Sequence, residues 1–120
     1  DLVRSRGLGD VYKRQVCESW RNLISVGSVP IAITNCLNFG SPENEENMGE
    51  FVECVKGIGE ASEYLNFPVV SGNVSFYNQT NEKSILPTPT IGGVGIIKDI
   101  SAHSSGSVNK NDFYYLVGEF

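Results

Sequence analysis

Apolar positions change period along the chain, and each change marks an element. Val16, Trp20, Leu23 and Ile24 recur at three and four residues, which predicts a short amphipathic helix over 16–26, stopped by Gly27. Pro30 to Phe39 is β-rich and bounded by Pro and Gly, a strand whose end falls near Asn35 to Asn38. Gly40 to Glu43 reads as a strand-to-helix turn, with Ser41 as N-cap and Pro42 at the first helical position. Met48, Phe51, Val52, Val55, Ile58, Ala61, Ser62 and Leu65 then form one face of a longer helix. Glu43, Glu45 and Glu46 lie in its first turns, where the helix dipole favours anions, so they read as helix-end electrostatics rather than a metal site. Gly57 and Gly59 each cost a helix about 1 kcal/mol against Ala; close packing against a sheet would explain them.

Pro68 to Tyr77 is a second β-rich run, broken at Ser71-Gly72-Asn73, where a Gly inside a strand signals a bulge or a close approach. Asn78 to Ser84 is a polar turn, and Pro87 to Thr90 is extended because Pro fixes φ and biases its predecessor away from helix. Ile91 to Lys98 is a third strand, with a bare backbone at Gly92, Gly93 and Gly95 that points to tight sheet packing. Ser101 to Asn111 reads as a flexible linker, and Phe113 to Gly118 as the start of a further strand. The order predicts an α+β fold in α/β layers, with a helix pair packed on a sheet. The expected division is a junction segment over 1–15, a partial small α+β domain over 16–100, and a linker with the first strand of the next domain over 101–120. No internal repeat is visible.

Composition narrows the class. Of 120 residues, 40% are hydrophobic, six are Phe and five Tyr, which excludes a disordered tail. No apolar run approaches the roughly 20 residues of a membrane-spanning helix. A net charge of −5 argues against a nucleic-acid scaffold with a broad basic face. Asp1 to Gln15 hold four of the nine basic residues and lack a sustained apolar period. Asp10 to Gln15 also resemble the translated end of a transposon adapter, so this stretch is expected to be foreign to the remainder of the chain. The opening Asp1 and a final strand interrupted at Phe120 lead us to expect a fragment of a longer protein.

Cys17, Cys36 and Cys54 fit neither a disulfide framework nor paired zinc ligands, and read as three buried thiols in a reducing compartment. The triplets Asn73-Val-Ser75 and Asn78-Gln-Thr80 would be glycosylated only in a secreted protein, and nothing else points there. His103 stands alone in a Ser/Gly stretch and reads as a solvated loop residue. Small and amide-bearing residues gather at three strand ends, 35–43, 71–75 and 92–95, where ligands of open α/β folds sit. Gly lets backbone N–H groups approach phosphate, and an Asn side-chain oxygen suits Mg²⁺ alongside phosphates and water. These residues permit a Mg²⁺-nucleotide site around Gly72 and Asn73. There is no Ser-His-Asp arrangement, no Cys-His pair and no basic phosphate clamp.

Three strings add a resemblance. Ile33-Thr-Asn-Cys-Leu-Asn-Phe-Gly-Ser-Pro-Glu43 resembles the "DxLNFGNPE" segment of the phosphoribosylformylglycinamidine synthase family of purine biosynthesis. Val70-Ser-Gly-Asn-Val-Ser-Phe-Tyr-Asn78 is similar to that family's "GNVSLYNE", and Ile85 to Gly95 to its "I-x-PTP-x-x-G-x-VG". The order and spacing agree from about Val16 onward.

The resemblance implies a fold like the N-terminal domain of aminoimidazole ribonucleotide synthetase, with helices on a mixed β-sheet, from the second of two repeated halves. It implies a ligase that converts formylglycinamide ribonucleotide, ATP and glutamine-derived ammonia to formylglycinamidine ribonucleotide, ADP and phosphate, through a phosphorylated amide oxygen that ammonia displaces. The cofactors implied are ATP and Mg²⁺. The partners implied are the ribonucleotide, the rest of the parent chain and, in a multi-subunit form, a glutaminase and a small accessory subunit. Residue by residue, Gly72 matches an ATP-contacting glycine, Asn73 a Mg²⁺ ligand and Ser75 a substrate-contacting serine. Asn35 falls where the family often has an ATP-contacting aspartate; it loses the charge but keeps one acceptor oxygen and adds a donor. Ser41 stands where the family more often has Asn. The family's catalytic histidines match nothing here, so no catalytic residue is expected. Small domains of related enzymes pair through their sheets, so the chain alone is expected to self-associate.

Two other readings stay open at this level: another ATP-using member of the superfamily, such as a selenophosphate synthetase, and a non-catalytic nucleotide-binding domain.

Overall fold

The structure is a computed structural model that describes residues 7–113, 115, 116 and 118. Two helices pack on one face of a three-stranded mixed sheet. In chain order the elements are α1 (Leu8–Ser25), β1 (Val29–Asn38), α2 (Glu45–Tyr64), β2 (Val69–Ser75), β3 (Gln79–Thr80), β4 (Lys83–Ser84), β5 (Thr88–Ile96) and a 3₁₀ turn (Ile100–Ala102). β1 is central: β2 runs parallel to it and β5 antiparallel. A parallel neighbour requires a crossover, and α2 supplies it.

α1 begins at Leu8, eight residues before the expected start at Val16. The added turns bury Tyr12 in the core, one side chain too few to register as a period. Val16 is fully buried, with Cys17, Trp20 and Leu23 beside it, whereas Ile24 and Val26 are largely exposed.

α2 is capped by Asn44, not Ser41. The Asn44 side-chain oxygen accepts from Glu46 N at 2.9 Å and Asn47 N at 3.2 Å. Ser41 instead closes the preceding turn, its carbonyl accepting from Asn44 N at 3.2 Å. The buried side of α2 runs through Asn47, Cys54, Gly57, Ile58 and Ala61, so Met48 and Val55, assigned to the inner face by periodicity, are exposed. Gly57 is explained by a helix rather than a sheet: a Cβ there would collide with the carbonyl of Gly9 on α1. A Cβ at Gly59 would meet open space.

The core joins Tyr12 and Val16 of α1, Ile33 and Leu37 of β1, Cys54, Ile58 and Ala61 of α2, and the loop residues Phe39 and Phe67. Fully burying one such aliphatic or aromatic side chain contributes about 1.5–3 kcal/mol. Phe39, Phe51 and Phe76 extend the core, with ring centroids of Phe51 at 5.3 Å from Phe39 and 5.0 Å from Phe76, both edge-to-face. Gly93 shows why β5 is glycine-rich: a Cβ there would strike Ser19 and Leu23 of α1 and the Phe67 ring.

The polar turn over 78–84 is a small hairpin, β3 paired with β4, with Asn81 and Glu82 both left-handed at φ 49° and 64°. Two successive positive φ values are what a tight two-residue hairpin needs. From Lys98 onward the described residues are exposed, anchored where Ser104 N donates to Val26 O at 3.1 Å. Phe113, Tyr115, Leu116 and Gly118 lie outside any strand; Tyr114 and Val117 of the expected strand lie outside the described residues. All three thiols are free, but only Cys54 is fully buried. No helix among the described residues is long and apolar enough to cross a membrane.

Candidate functional site

The parallel register of β1 and β2 brings two of the resembling strings together. Asn35 lies opposite Gly72, Cys36 opposite Asn73, and Asn38 opposite Ser75. Across β1 on its other side, Asn35 faces Ile91, Cys36 faces Thr90 and Asn38 faces Thr88. All four expected site residues thus fall within one short stretch of paired strands.

Strand side chains alternate between faces, and directly paired residues share one. Ile33 and Leu37 point to the helices, and Asn35 between them falls on that side with Gly72. Thr34, Cys36 and Asn38 point away from the helices, with Ser71, Asn73 and Ser75 of β2 and Gly92, Thr90 and Thr88 of β5. An open depression of about 370 Å³ lies here, lined by Thr34, Asn35, Cys36, Ser71, Gly72, Asn73, Thr90 and Gly92. Ser75 is not among its lining residues; it sits one pleat further along, where β2 ends. The structure therefore gathers Asn35, Gly72 and Asn73 around one depression and sets Ser75 at its end.

Gly72 is dictated by Asn35. A Cβ at position 72 would collide with the Asn35 side-chain oxygen and backbone carbonyl. This close approach is the physical reason for the break in the β-rich pattern at Ser71-Gly72-Asn73. Asn73 is exposed on the open face. Its amide oxygen is one neutral, hard ligand, which fits a Mg²⁺ ion that takes its other oxygens from phosphates and water. Among the described residues no group of three or more His, Cys, Asp or Glu could hold a metal, so any cation here depends on such outside oxygens.

Ser75 belongs to a dense hydrogen-bond cluster that the sequence did not reveal. The Asn78 amide donates to Phe39 O and Ser75 O, both at 3.0 Å, and to Ser75 Oγ at 3.1 Å. Tyr77 turns the chain back at φ 60°, and its hydroxyl donates to Glu43 Oε1 at 3.2 Å. That bond raises the Tyr77 pKa, since a phenol donating to a carboxylate holds its proton. On the covered side, burial pushes the Cys54 thiol up to about 12, so this cysteine is a packing residue and not a nucleophile. Cys36, on the open face, accepts a weak bond from Asn38 Nδ2 at 3.4 Å. His103 is exposed, its Nδ1 2.7 Å from Ile100 O, away from the depression.

This fold matches a known domain. Residues 9–97 match the model of the AIR synthase related protein, N-terminal domain, and the chain belongs to that family. Within it the chain is 83% identical over 87 residues to the phosphoribosylformylglycinamidine synthase subunit PurL of Pelagibacter ubique, covering 72% of this chain and 12% of that protein. Thermotoga maritima PurL complexed with ATP superposes with a TM-score of 0.65 at 39% identity, over 74% of this chain and 16% of the other. The same protein complexed with FGAR gives a TM-score of 0.58 at 36% identity, over 74% and 15%. The resemblance drawn from the three strings is upheld, and so is the expected α+β fold. The chain spans about an eighth of the length of the relative it matches.

Proposed function

We propose that the chain forms part of a Mg²⁺-nucleotide and substrate site in an ATP-dependent carbon–nitrogen ligase of the amidotransferase type, acting on formylglycinamide ribonucleotide. Asn35 and Gly72 contact ATP, Asn73 contributes one oxygen to Mg²⁺, and Ser75 contacts the ribonucleotide. The observation that carries this reading is the register, which lines up Asn35 with Gly72, and Asn73 and Ser75 two residues apart, along one parallel strand pair. Similarity to a PurL complexed with ATP and to one complexed with FGAR supports both ligand classes.

In the intact protein ATP phosphorylates the amide oxygen, and ammonia displaces that phosphate, leaving ADP and phosphate. The depression is lined by hydroxyl, amide, thiol and glycine residues, and in this reading the rest of the parent supplies the acid–base chemistry. Its partners are then the remaining domains and, in a multi-subunit parent, a glutaminase and a small accessory subunit; the compartment is the cytoplasm. The domain division belongs to the same reading: 16–100 as the small domain, 101–120 as linker and entry to the next, and 1–15 as a junction segment.

The test is nucleotide binding and ammonia-dependent ADP release by the intact parent, with Asn73→Ala and Gly72→Val variants. We expect both to lower Mg²⁺-dependent nucleotide affinity, and the 120-residue chain alone to show no turnover. Unchanged affinity in both variants would overturn the assignment. A second reading, a structural nucleotide site without turnover, is favoured by Asn35 standing where an aspartate is usual. Bound nucleotide that exchanges as fast as product forms would exclude it.

A further inference from the structure

Ser75 is not left to find its own rotamer. Its hydroxyl accepts a hydrogen bond from Asn78 Nδ2 at 3.1 Å and donates a longer one to Oδ1 of the same amide, at 3.4 Å. The hydroxyl hydrogen therefore has only a long local acceptor and can instead be donated in a hydrogen bond to an incoming oxygen. Asn78 is itself held from several directions. Its N–H donates to Phe39 O at 3.1 Å, its carbonyl accepts from Ile85 N at 3.0 Å, and its amide bridges Phe39 O on the β1 side and Ser75 O on the β2 side. The left-handed turn at Tyr77 makes this return possible. That turn is fixed by Tyr77 N donating to Gly40 O at 3.1 Å and by the hydroxyl bond to Glu43. A bulky residue at positive φ marks backbone strain held by its surroundings, and such strain gathers where a side chain must be aimed.

We propose that Asn78 is a positioning residue, which sets the Ser75 hydroxyl as a hydrogen-bond donor toward the ribonucleotide substrate. This rests on the reading that Ser75 contacts that substrate. Asn78 touches no reacting atom and acts through Ser75.

The experiment is a double-mutant cycle in the intact parent enzyme, using Ser75→Ala, Asn78→Ala and the pair, with KM measured separately for ribonucleotide and ATP. Asn78→Asp is the second variant; it keeps the size but loses both donors, should Asn78→Ala fail to fold. We expect Ser75→Ala and either Asn78 variant each to raise the ribonucleotide KM about tenfold, with the ATP KM within about twofold. The double variant should be no worse than Ser75→Ala alone, because the two changes remove one interaction. If Ser75→Ala leaves the ribonucleotide KM unchanged, the reading of Ser75 fails and the proposal with it. If Ser75→Ala raises it but the Asn78 variants do not, or raise both KM values alike, or add to Ser75→Ala, Asn78 is a strand-end clamp only and the proposal is overturned.

Discussion

The two faces of the sheet divide the labour of the molecule. On the covered face Ile33 and Leu37 meet Val16, Ile58 and Phe67, and even the glycines are sterically required, as Gly93 is by Ser19, Leu23 and Phe67. On the open face the strands carry Thr34, Cys36, Asn38, Ser71, Asn73 and Thr90 at one end, and the half-exposed Val94 and Ile96 at the other. The first face sets stability and tolerates little. The second is free to carry polar chemistry because none of the described helices rests on it. Asn35 marks the border, lying on the covered side but beside the outer strand β2, with its amide against Gly72.

Truncating the covered face is the most severe challenge to this division. Phe67→Ala should cost about 3–5 kcal/mol in urea unfolding, since the ring is fully buried. A cost below about 1 kcal/mol would mean that this face is not the stabilising one. Gly72→Ala should cost about 1–3 kcal/mol by forcing β1 and β2 apart, and should lower nucleotide affinity in the intact parent. Stability lost without affinity would place the nucleotide elsewhere.

Asn47→Ala should cost a similar or smaller amount, about 1–3 kcal/mol, because Asn47 Nδ2 donates to Ser41 O at 3.0 Å and Ser84 Oγ at 2.9 Å. Thermal melts would show it. Alkali separates the faces further. Burial raises the Cys54 thiol from 9.0 to about 12; burial, then the neighbouring Cys54 and Glu50, raise the Tyr12 phenol from 10.0 to about 12. Both are acids kept protonated by folding, so their stabilisation is complete below about pH 9 and is lost between about pH 9 and 12. A thermal midpoint that stays flat across that range would contradict the burial of both groups. The smallest effect should come from the open face. Val94→Ser should change stability by no more than about 0.5 kcal/mol while reducing self-association in sedimentation of the isolated chain.

Much of this is legible in the sequence. The strand through Asn35 announces itself by β-branched residues between Pro and Gly, and α2 by its period. The glycines of β5 read as tight packing, and Gly93 is tightly packed. What escapes depends on tertiary partners. Asn47 is buried although it is polar, and its amide is satisfied by the Ser41 carbonyl and by Ser84, from a distant hairpin. Gly57 reads as packed against a sheet because its true neighbour, Gly9, lies in a stretch with no apolar period. Ser41 and Asn44 are both good caps by residue type, and backbone geometry alone chooses between them. The site residues come from the resembling strings, but their pairing comes from the register, which no single strand specifies. Asn78 looks like one more polar turn residue until its amide is seen returning over Ser75.

The parallel pairing of β1 with β2 has a consequence for how the protein is born. An antiparallel hairpin can close as soon as its turn exists, but here Asn35 cannot meet Gly72 until the whole of α2 has been made and folded back. The strand partners lie far apart in the chain, and such contacts form slowly. During synthesis β1 therefore waits on the ribosome with both edges open, in the company of α1 and α2 alone. The step that completes the depression is among the last the chain takes, and conditions that slow α2 should delay nucleotide binding more than they delay the appearance of helix.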